Sequence, residues 1–223
     1  MRLTEKQIPA MLMFVNNVLI TLRVMTDITR SVMTTLEFLT MKKVLLVIGD
    51  ATEMFDTLYP LYRVREDGHQ VLVAAPEKRL YHMVQHEKPD DWDITRETAG
   101  YHLASDIAFR DIKPEEYHGI LLSGGRAPEY IRYDQDLIRA VRYFCQKGLP
   151  VGSVCHGIEI LATADVIRGK KITTVKKCRF DAEVVGATYL DQEVVVDGNL
   201  ICARTWHDNH AWMREFMKQL NAT

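Results

Sequence analysis

Short apolar runs alternate with amphipathic segments along most of the chain. The runs have the length of parallel strands that are covered on both faces, and they occur at 43–48, 70–75, 119–122, 149–154, 172–174 and 193–197. Apolar residues at three- and four-residue spacing predict helices over 53–67, 134–147, 158–167, 180–185 and 209–220. Strands that alternate with helices predict an α/β fold, with a mostly parallel sheet and helices on both faces.

Two segments depart from this alternation. Residues 76–100 are polar and long for a connection, and we interpret them as a small hairpin or a functional loop. Asp197-Gly198 between two apolar runs predicts a tight hairpin over 196–201.

The first forty residues differ from the rest of the chain. The apolar stretch 8–25 is interrupted by Pro9, Asn16, Asn17 and Arg23, so it matches neither a signal peptide nor a spanning helix. We interpret 1–40 as an appendage outside the core and 41–223 as the folded domain. A start site mis-called upstream of Met41 would account for such an appendage, and a membrane anchor is the alternative.

Composition narrows the class of protein. The chain has 223 residues, 47% hydrophobic and 26% charged, with a net charge of −2. The chain therefore lacks the excess of positive charge that binds nucleic acid or an anionic membrane, so we expect neither partner. The four cysteines show no C-x-x-C spacing. Reduced thiols and a cytoplasmic location are therefore expected.

Cys155 lies where a predicted strand meets a predicted helix. A sharp turn there would hold the thiol accessible at the carboxyl edge of the sheet, and a helix N-terminus favours the thiolate. Cys155 is therefore the candidate nucleophile. The alternative is a small buried hydrophobe, and we keep that interpretation for Cys145, Cys178 and Cys202.

Other loops at the same sheet edge carry candidate partners. Glu53 is a first-turn helix carboxylate or, if protonated, an acid and base beside the sulfur. His156 is a candidate base, although a sequence neighbour often points elsewhere. The backbone N–H groups of Gly125 and His156 could form an oxyanion hole. The histidines do not assemble into a zinc spacing, so neither a metal nor a cofactor is expected.

Several motifs, in this order, resemble the ThiJ/PfpI family of cysteine hydrolases, within the class I glutamine amidotransferase-like superfamily. They are Gly49-x-x-x-Glu53, Leu58-Tyr59-Pro60, Ser123 to Glu129, Cys155-His156-Gly157, Val195 to Asn199 and Ala211 to Phe216. The resemblance spans about Lys42 to Leu220. It implies a flavodoxin-like three-layer sandwich with a nucleophile-elbow cysteine, and a homodimer or higher oligomer.

The resemblance also implies roles for individual residues. Cys155 resembles the family's nucleophile, Glu53 the acid that hydrogen-bonds it, and His156 the catalytic histidine. Glu129 occupies the position that completes a Cys-His-Glu triad from a neighbouring subunit. Ile158 departs from the proline found in many members, and 78–100 is longer than in the compact peptidases and resembles an insert of glyoxalase-type relatives.

Three functions are consistent with these residues. The first is a cysteine hydrolase of peptide or small amide bonds. The second is a cofactor-free glyoxalase or deglycase, in which Cys155 adds to a 2-oxoaldehyde and Glu53 moves a proton between its carbons. The third is a redox-sensing or chaperone-like stress protein that uses a low-pKa Cys155.

Overall fold

The computed structural model describes residues 19–20, 22–29 and 41–223. The chain divides into two compact units, Met1–Met41 and Lys42–Thr223. In the first unit, residues 22–29 are helical. Most of the predicted appendage lies outside the described residues, so its interpretation stays a prediction. Among the helices that are described, none is long and apolar enough to cross a membrane.

The second unit is built on a sheet of seven strands. They are β1 (Lys43–Val47), β2 (Gln70–Ala75), β5 (Ile107–Ala108), β6 (Gly119–Leu122), β7 (Val151–Val154), β10 (Val194–Asp197) and β11 (Leu200–Ala203). Their spatial order is β10-β11-β7-β6-β1-β2-β5, and every neighbouring pair is parallel except β10 with β11. The predicted turn on Asp197-Gly198 joins that antiparallel pair.

Helices cover both faces of this sheet. They are α1 (Met54–Glu66), α2 (Ala127–Ile131), α3 (Gln135–Lys147), α4 (Ile158–Thr163), α5 (Arg179–Val184) and α6 (Asn209–Ala222). Alternate side chains of β1 enter two separate cores, Leu45 and Val47 in one, Val44 and Leu46 in the other. The predicted three-layer α/β sandwich with a mostly parallel sheet is therefore confirmed.

Two short ribbons lie outside the main sheet. Strands β3 (Leu80–Glu87) and β4 (Arg96–Ala104) form an antiparallel hairpin, which resolves the ambiguity over 76–100. Strands β8 (Lys171–Ile172) and β9 (Thr188–Tyr189) pair only with each other, so the strand predicted at 172–174 is wrongly assigned to the central sheet.

The helix predicted over 158–167 is too long. It ends at Thr163, and Asp165 then adopts a left-handed conformation with φ 53°. That conformation is costly within a helix for a residue with a side chain, so the chain turns away there. The turn brings the following segment back toward the carboxyl edge of the sheet, where Thr174 donates to the carbonyl of Cys155.

Candidate active site

The strand-to-helix turn at Cys155 is present. Strand β7 ends at Val154, Cys155 adopts a left-handed φ of 55°, and α4 begins at Ile158 after a single 3-10 turn. A non-glycine residue rarely adopts such a φ, and it is a strain typical of functional sites. The Thr174 hydroxyl holds the Cys155 carbonyl at 2.6 Å. This hydrogen bond ties the turn to the segment that follows α4.

The predicted accessibility of the thiol is wrong. Cys155 is only 3% exposed, because Gly124 and Asp56 lie against it. A Cβ atom at Gly124 would collide with Cys155 Cβ and Asp56 Oδ2 and would lie 3.2 Å from the sulfur. Only a glycine at 124 leaves room for the thiol and the carboxyl group together. Small reactants can reach this site more easily than a folded peptide chain can.

Asp56 is the acid that sequence analysis missed. It lies in the first turn of α1, three residues after Glu53, and is fully buried. Its Oδ1 accepts a hydrogen bond from Asn209 Nδ2 at 3.3 Å, whereas Oδ2 is buried and has no partner among the described residues. The signal was available in the sequence, because residues three apart share a helix face.

Glu53 lies close to both groups and has two roles. Its Oε2 accepts a hydrogen bond from the Asp56 N–H at 2.7 Å, so it caps α1 as the first-turn interpretation requires. Its Oε1 is buried without a hydrogen-bond partner among the described residues. One oxygen therefore stabilises the helix and the other is free to move a proton.

Burial controls the protonation of these three groups. It raises the pKa of Asp56 well above its ordinary value, and the nearby Glu53 carboxylate adds to this rise. Burial also raises the pKa of Glu53 and that of Cys155, the latter further through Asp56. The expectation of a thiolate favoured by the helix N-terminus is therefore wrong for the resting site, because burial and the two acids outweigh the helix end.

The two N–H groups predicted to form an oxyanion hole both act on the sulfur. The N–H groups of Gly125 and His156 lower the pKa of Cys155, in opposition to burial. Gly125 has φ 78°, and a side chain there would collide with the Ala51 carbonyl and the Glu53 nitrogen. These donors would also meet an oxyanion formed on a carbon bonded to the sulfur.

The imidazole of His156 faces a different set of groups. Its Nδ1 lies 3.6 Å from Glu129 Oε1 and 4.0 Å from Glu159 Oε1 of the same chain. Burial lowers the pKa of His156 to about 4, and the charge of Lys177 contributes to this. The imidazole is therefore neutral at pH 7 and able to accept a proton. That Glu129 acts on a neighbouring subunit stays a prediction.

Glu159 and Lys177 were also missed. Lys177 Nζ lies 3.1 Å from Glu129 Oε1 and 3.5 Å from Glu159 Oε1, and Arg132 Nη1 lies 3.3 Å from Glu159 Oε2. The ligand atoms of His156, Glu159 and Cys178 lie within 4.8 Å of one another, as a metal site would require. Two side-chain cations already compensate Glu159, so the cluster does not fit a divalent ion.

A second histidine enters the site from the β3–β4 hairpin. His86 is 8% exposed, and its Nε2 lies 3.1 Å from Glu97 Oε2. Arg126 holds the Glu97 carboxylate with two hydrogen bonds of 2.9 and 2.7 Å, which lower the pKa of Glu97 to about 2. The backbone N–H of His86 lies beside Glu53 and lowers the pKa of that carboxyl group, against the effect of burial. The hairpin therefore completes one wall of the site.

Fold and site together define a class of protein: a three-layer α/β protein with a cysteine on a strand-to-helix turn, flanked by buried acids. The sequence model of the DJ-1/PfpI family matches residues 42–219 of this chain. The chain belongs to the DJ-1/PfpI family.

Relatives in this family are similar over nearly their full lengths. Deglycase TK1284 of Thermococcus kodakarensis is 38% identical over 178 residues, which cover 80% of this chain and 99% of the relative. Protein/nucleic acid deglycase 2 of Escherichia coli is 35% identical over 182 residues, or 81% and 99% of the two chains. Enzymatic members named deglycases are thus its relatives.

Solved structures share the fold. DJ-1beta of Drosophila melanogaster superimposes with a TM-score of 0.69 at 18% identity, over 82% of this chain and 92% of that one. A ThiJ/PfpI domain protein of Brachyspira murdochii gives a TM-score of 0.70 at 15% identity, over 82% and 98% of the two chains. At these identities the likeness supports the α/β sandwich alone.

Proposed function

We propose that this protein is a cofactor-free deglycase, which removes 2-oxoaldehydes from their adducts with amines and releases 2-hydroxy acids. The observation that carries the proposal is the pairing of a buried thiol with two buried acids, Glu53 and Asp56, in a chain whose full-length relatives are named deglycases. Peptide hydrolysis, our first expectation, has less support, because Cys155 is nearly inaccessible to a polypeptide.

The chemistry begins at the hemiaminal carbon of the adduct. Burial makes the Asp56 carboxylate a stronger base than an ordinary one, so it is suited to take the thiol proton of Cys155. The sulfur then forms a bond to the hemiaminal carbon, and the bond between that carbon and the amine nitrogen breaks. The amine leaves with a proton. The product on the enzyme is a hemithioacetal. The same hemithioacetal forms when the thiol adds to a free 2-oxoaldehyde.

The second step is an internal oxidation and reduction. Glu53 Oε1 takes the proton from the hemithioacetal carbon and returns a proton to the neighbouring carbonyl carbon, while the carbonyl oxygen is protonated and the hydroxyl proton is lost. The first carbon becomes a thioester and the second an alcohol, so no external oxidant is required. The N–H groups of Gly125 and His156 lie beside the sulfur and stabilise the oxygen charge.

Hydrolysis then restores the thiol. Neutral His156 accepts a proton from water, the hydroxide attacks the thioester carbon, and the C–S bond breaks to release the 2-hydroxy acid. The sulfur leaves with a proton, so Cys155 returns to its starting state. The low-pKa thiol that redox sensing requires has no support, because burial raises the pKa of Cys155.

The test is to incubate the purified protein with methylglyoxal and with its adduct of an amino acid. We expect lactate and free amine from the wild type, and neither from Cys155→Ala or Glu53→Gln. A peptide panel run in parallel distinguishes the hydrolase. Peptide cleavage without lactate, or lactate formation that survives both substitutions, would overturn the proposal.

A further inference from the structure

A cavity of about 840 Å³ lies beside the imidazole end of the site. Lys176, Lys177, Trp206 and Tyr189 are among its lining residues. Trp206 also contacts the site, since its ring centroid lies 6.1 Å from that of His86. Small-molecule sites occupy roughly 300–1,000 Å³. The cavity is thus far larger than a three-carbon 2-oxoaldehyde needs and has room for the rest of an adduct.

The charges on its walls are not balanced. Lys88, Lys176, Lys177 and Arg204 face Asp93, Asp191 and Asp208. Arg204 is held at 2.8 Å from Asp208 and 3.1 Å from Asp191, so this one guanidinium is shared by two carboxylates. Within the described part of the chain, neither Lys88 nor Lys176 has an ion-pair partner, and both are exposed. Four cationic side chains thus line the cavity with three carboxylates, and the ammonium groups of Lys88 and Lys176 are available to an anion.

Lys177 connects this cavity to the histidine. Its Nζ lies 3.1 Å from Glu129 Oε1, the oxygen that is 3.6 Å from His156 Nδ1. The Lys177 side chain is 57% exposed, so it can turn toward the cavity. An anion in the cavity would compete with Glu129 for this ammonium group.

We propose that this cavity is a subsite for an anionic group, a carboxylate or phosphate, on the amine part of the adduct, bound by Lys88 and Lys176 and sensed by Lys177. The inference rests on the proposed deglycase function. When the anion draws Lys177 away, the Glu129 carboxylate is released toward His156 Nδ1. The amine part of the substrate thus prepares the base that acts on the thioester.

The experiment compares two adducts of methylglyoxal that differ only in a distant charge, those of N-acetylarginine and of N-acetylarginine amide. For the wild type we expect kcat/KM about tenfold higher with the acid than with the amide, a difference of about 1.4 kcal/mol to which both lysines contribute. Lys176→Gln should lower the ratio toward one without changing kcat/KM for the amide. Lys218→Gln, on α6 far from the cavity lining, should keep the ratio.

A binding measurement separates this proposal from the proposed function. N-acetylarginine and its amide are titrated calorimetrically into Cys155→Ala, which cannot react. Tighter binding of the acid, lost in Cys155→Ala/Lys176→Gln, supports the subsite even if the wild type converts neither adduct. Equal affinity for acid and amide, or a preference that survives both Lys176→Gln and Lys88→Gln, overturns it.

Discussion

Two sets of acids flank the turn at Cys155, and they differ in how their charge is compensated. On the thiol side, Glu53 and Asp56 are fully buried, and neither has an ion-pair partner among the described residues. On the imidazole side, Glu129 and Glu159 contact Lys177, and Glu159 also contacts Arg132. The two sets lie on either side of one three-residue turn.

The difference shows that burial alone does not decide what an acid does. A buried carboxylate without a cation is costly, so its pKa rises and it becomes a stronger base. A buried carboxylate beside a cation can stay ionised and orient a neighbouring imidazole. The thiol side is therefore suited to moving protons, and the imidazole side is suited to holding a fixed charge.

Replacement of the proton-transferring acid should have the largest effect. We expect Asp56→Asn to lower kcat/KM for the adduct about 10³-fold, within the range of general acid and base contributions, because an amide cannot accept the thiol proton. Lactate assays measure this. Glu66→Gln, at the exposed end of the same helix, should leave the rate unchanged.

Asp56→Asn should still fold, with a cooperative unfolding transition in urea, because asparagine keeps the size of the side chain and leaves the thiol in place. A rate loss of less than tenfold would mean that Asp56 only fills space beside the sulfur. Loss of the cooperative unfolding transition would place the defect in stability rather than in proton transfer.

On the imidazole side, removal of the cation should mainly reduce stability. Arg132 contacts Glu159 and Asp181 and donates from Nε to Thr163 at 2.7 Å. We expect Arg132→Met to lower the free energy of unfolding by about 3 kcal/mol, because it leaves a buried carboxylate with less compensation. Urea denaturation measures this change.

The exposed pair of Arg139 with Asp136 is the matched control. Arg139→Met should change the free energy of unfolding by no more than about 0.5 kcal/mol. If both variants lose the same amount, burial does not distinguish the two pairs and the comparison fails.

Sequence patterns predicted the parts of this protein that depend on local order. The strands 70–75 and 119–122 were predicted at the bounds that the structure has, because each is a short apolar run between turn residues. The turn at Cys155 followed from a strand that meets a helix. The hairpin at 80–104 was ambiguous, since its polar residues alternate weakly and it packs only partly against the domain.

The missed site residues are those that tertiary packing brings in. Lys177 lies in a turn between Ile172 and α5, and nothing local indicates that it meets Glu129, which is far away in the sequence. His86 reaches the site because backbone hydrogen bonds dock the hairpin, from the Val84 N–H to the Thr52 carbonyl and from the Ala51 N–H to the His82 carbonyl. Cys155 was located, but its burial could not be predicted without Gly124 and Asp56 in place.

Glu129 permits a test of where the imidazole side is assembled. Glu129→Gln should lower kcat/KM about tenfold, because it removes a charge that raises the pKa of His156 and so weakens the base. If the carboxylate acts within its own chain, as the 3.6 Å contact favours, mixing Glu129→Gln with Cys155→Ala protein should restore nothing.

If the carboxylate acts on a neighbouring subunit, the same mixture regains activity. A Cys155→Ala subunit would then supply an intact Glu129 to the functional thiol of its partner. Size-exclusion chromatography with light scattering would show whether mixed oligomers had formed. Recovered activity in such oligomers would confirm the arrangement that the family resemblance implies and contradict the pairing within one chain.

The smallest effect concerns the pH dependence of stability. Because burial raises the pKa of Asp56 above its ordinary value of 3.8, the folded state binds this proton more tightly than the unfolded state does. Its contribution to stability is full below that value and is lost as pH rises through the raised pKa.

The contribution of Glu97 to stability depends on pH in the opposite sense. Arg126 lowers the pKa of Glu97 to about 2 from the ordinary 4.5, so this contribution is lost as pH falls between those values. The free energy of unfolding, measured by urea denaturation from acid to alkaline pH, should therefore change differently in the two variants. Asp56→Asn should remove its decline at alkaline pH, whereas Glu97→Gln should remove its decline at acid pH. If both variants flatten the same limb, the thiol side is not the uncompensated region that its burial and lack of cations indicate.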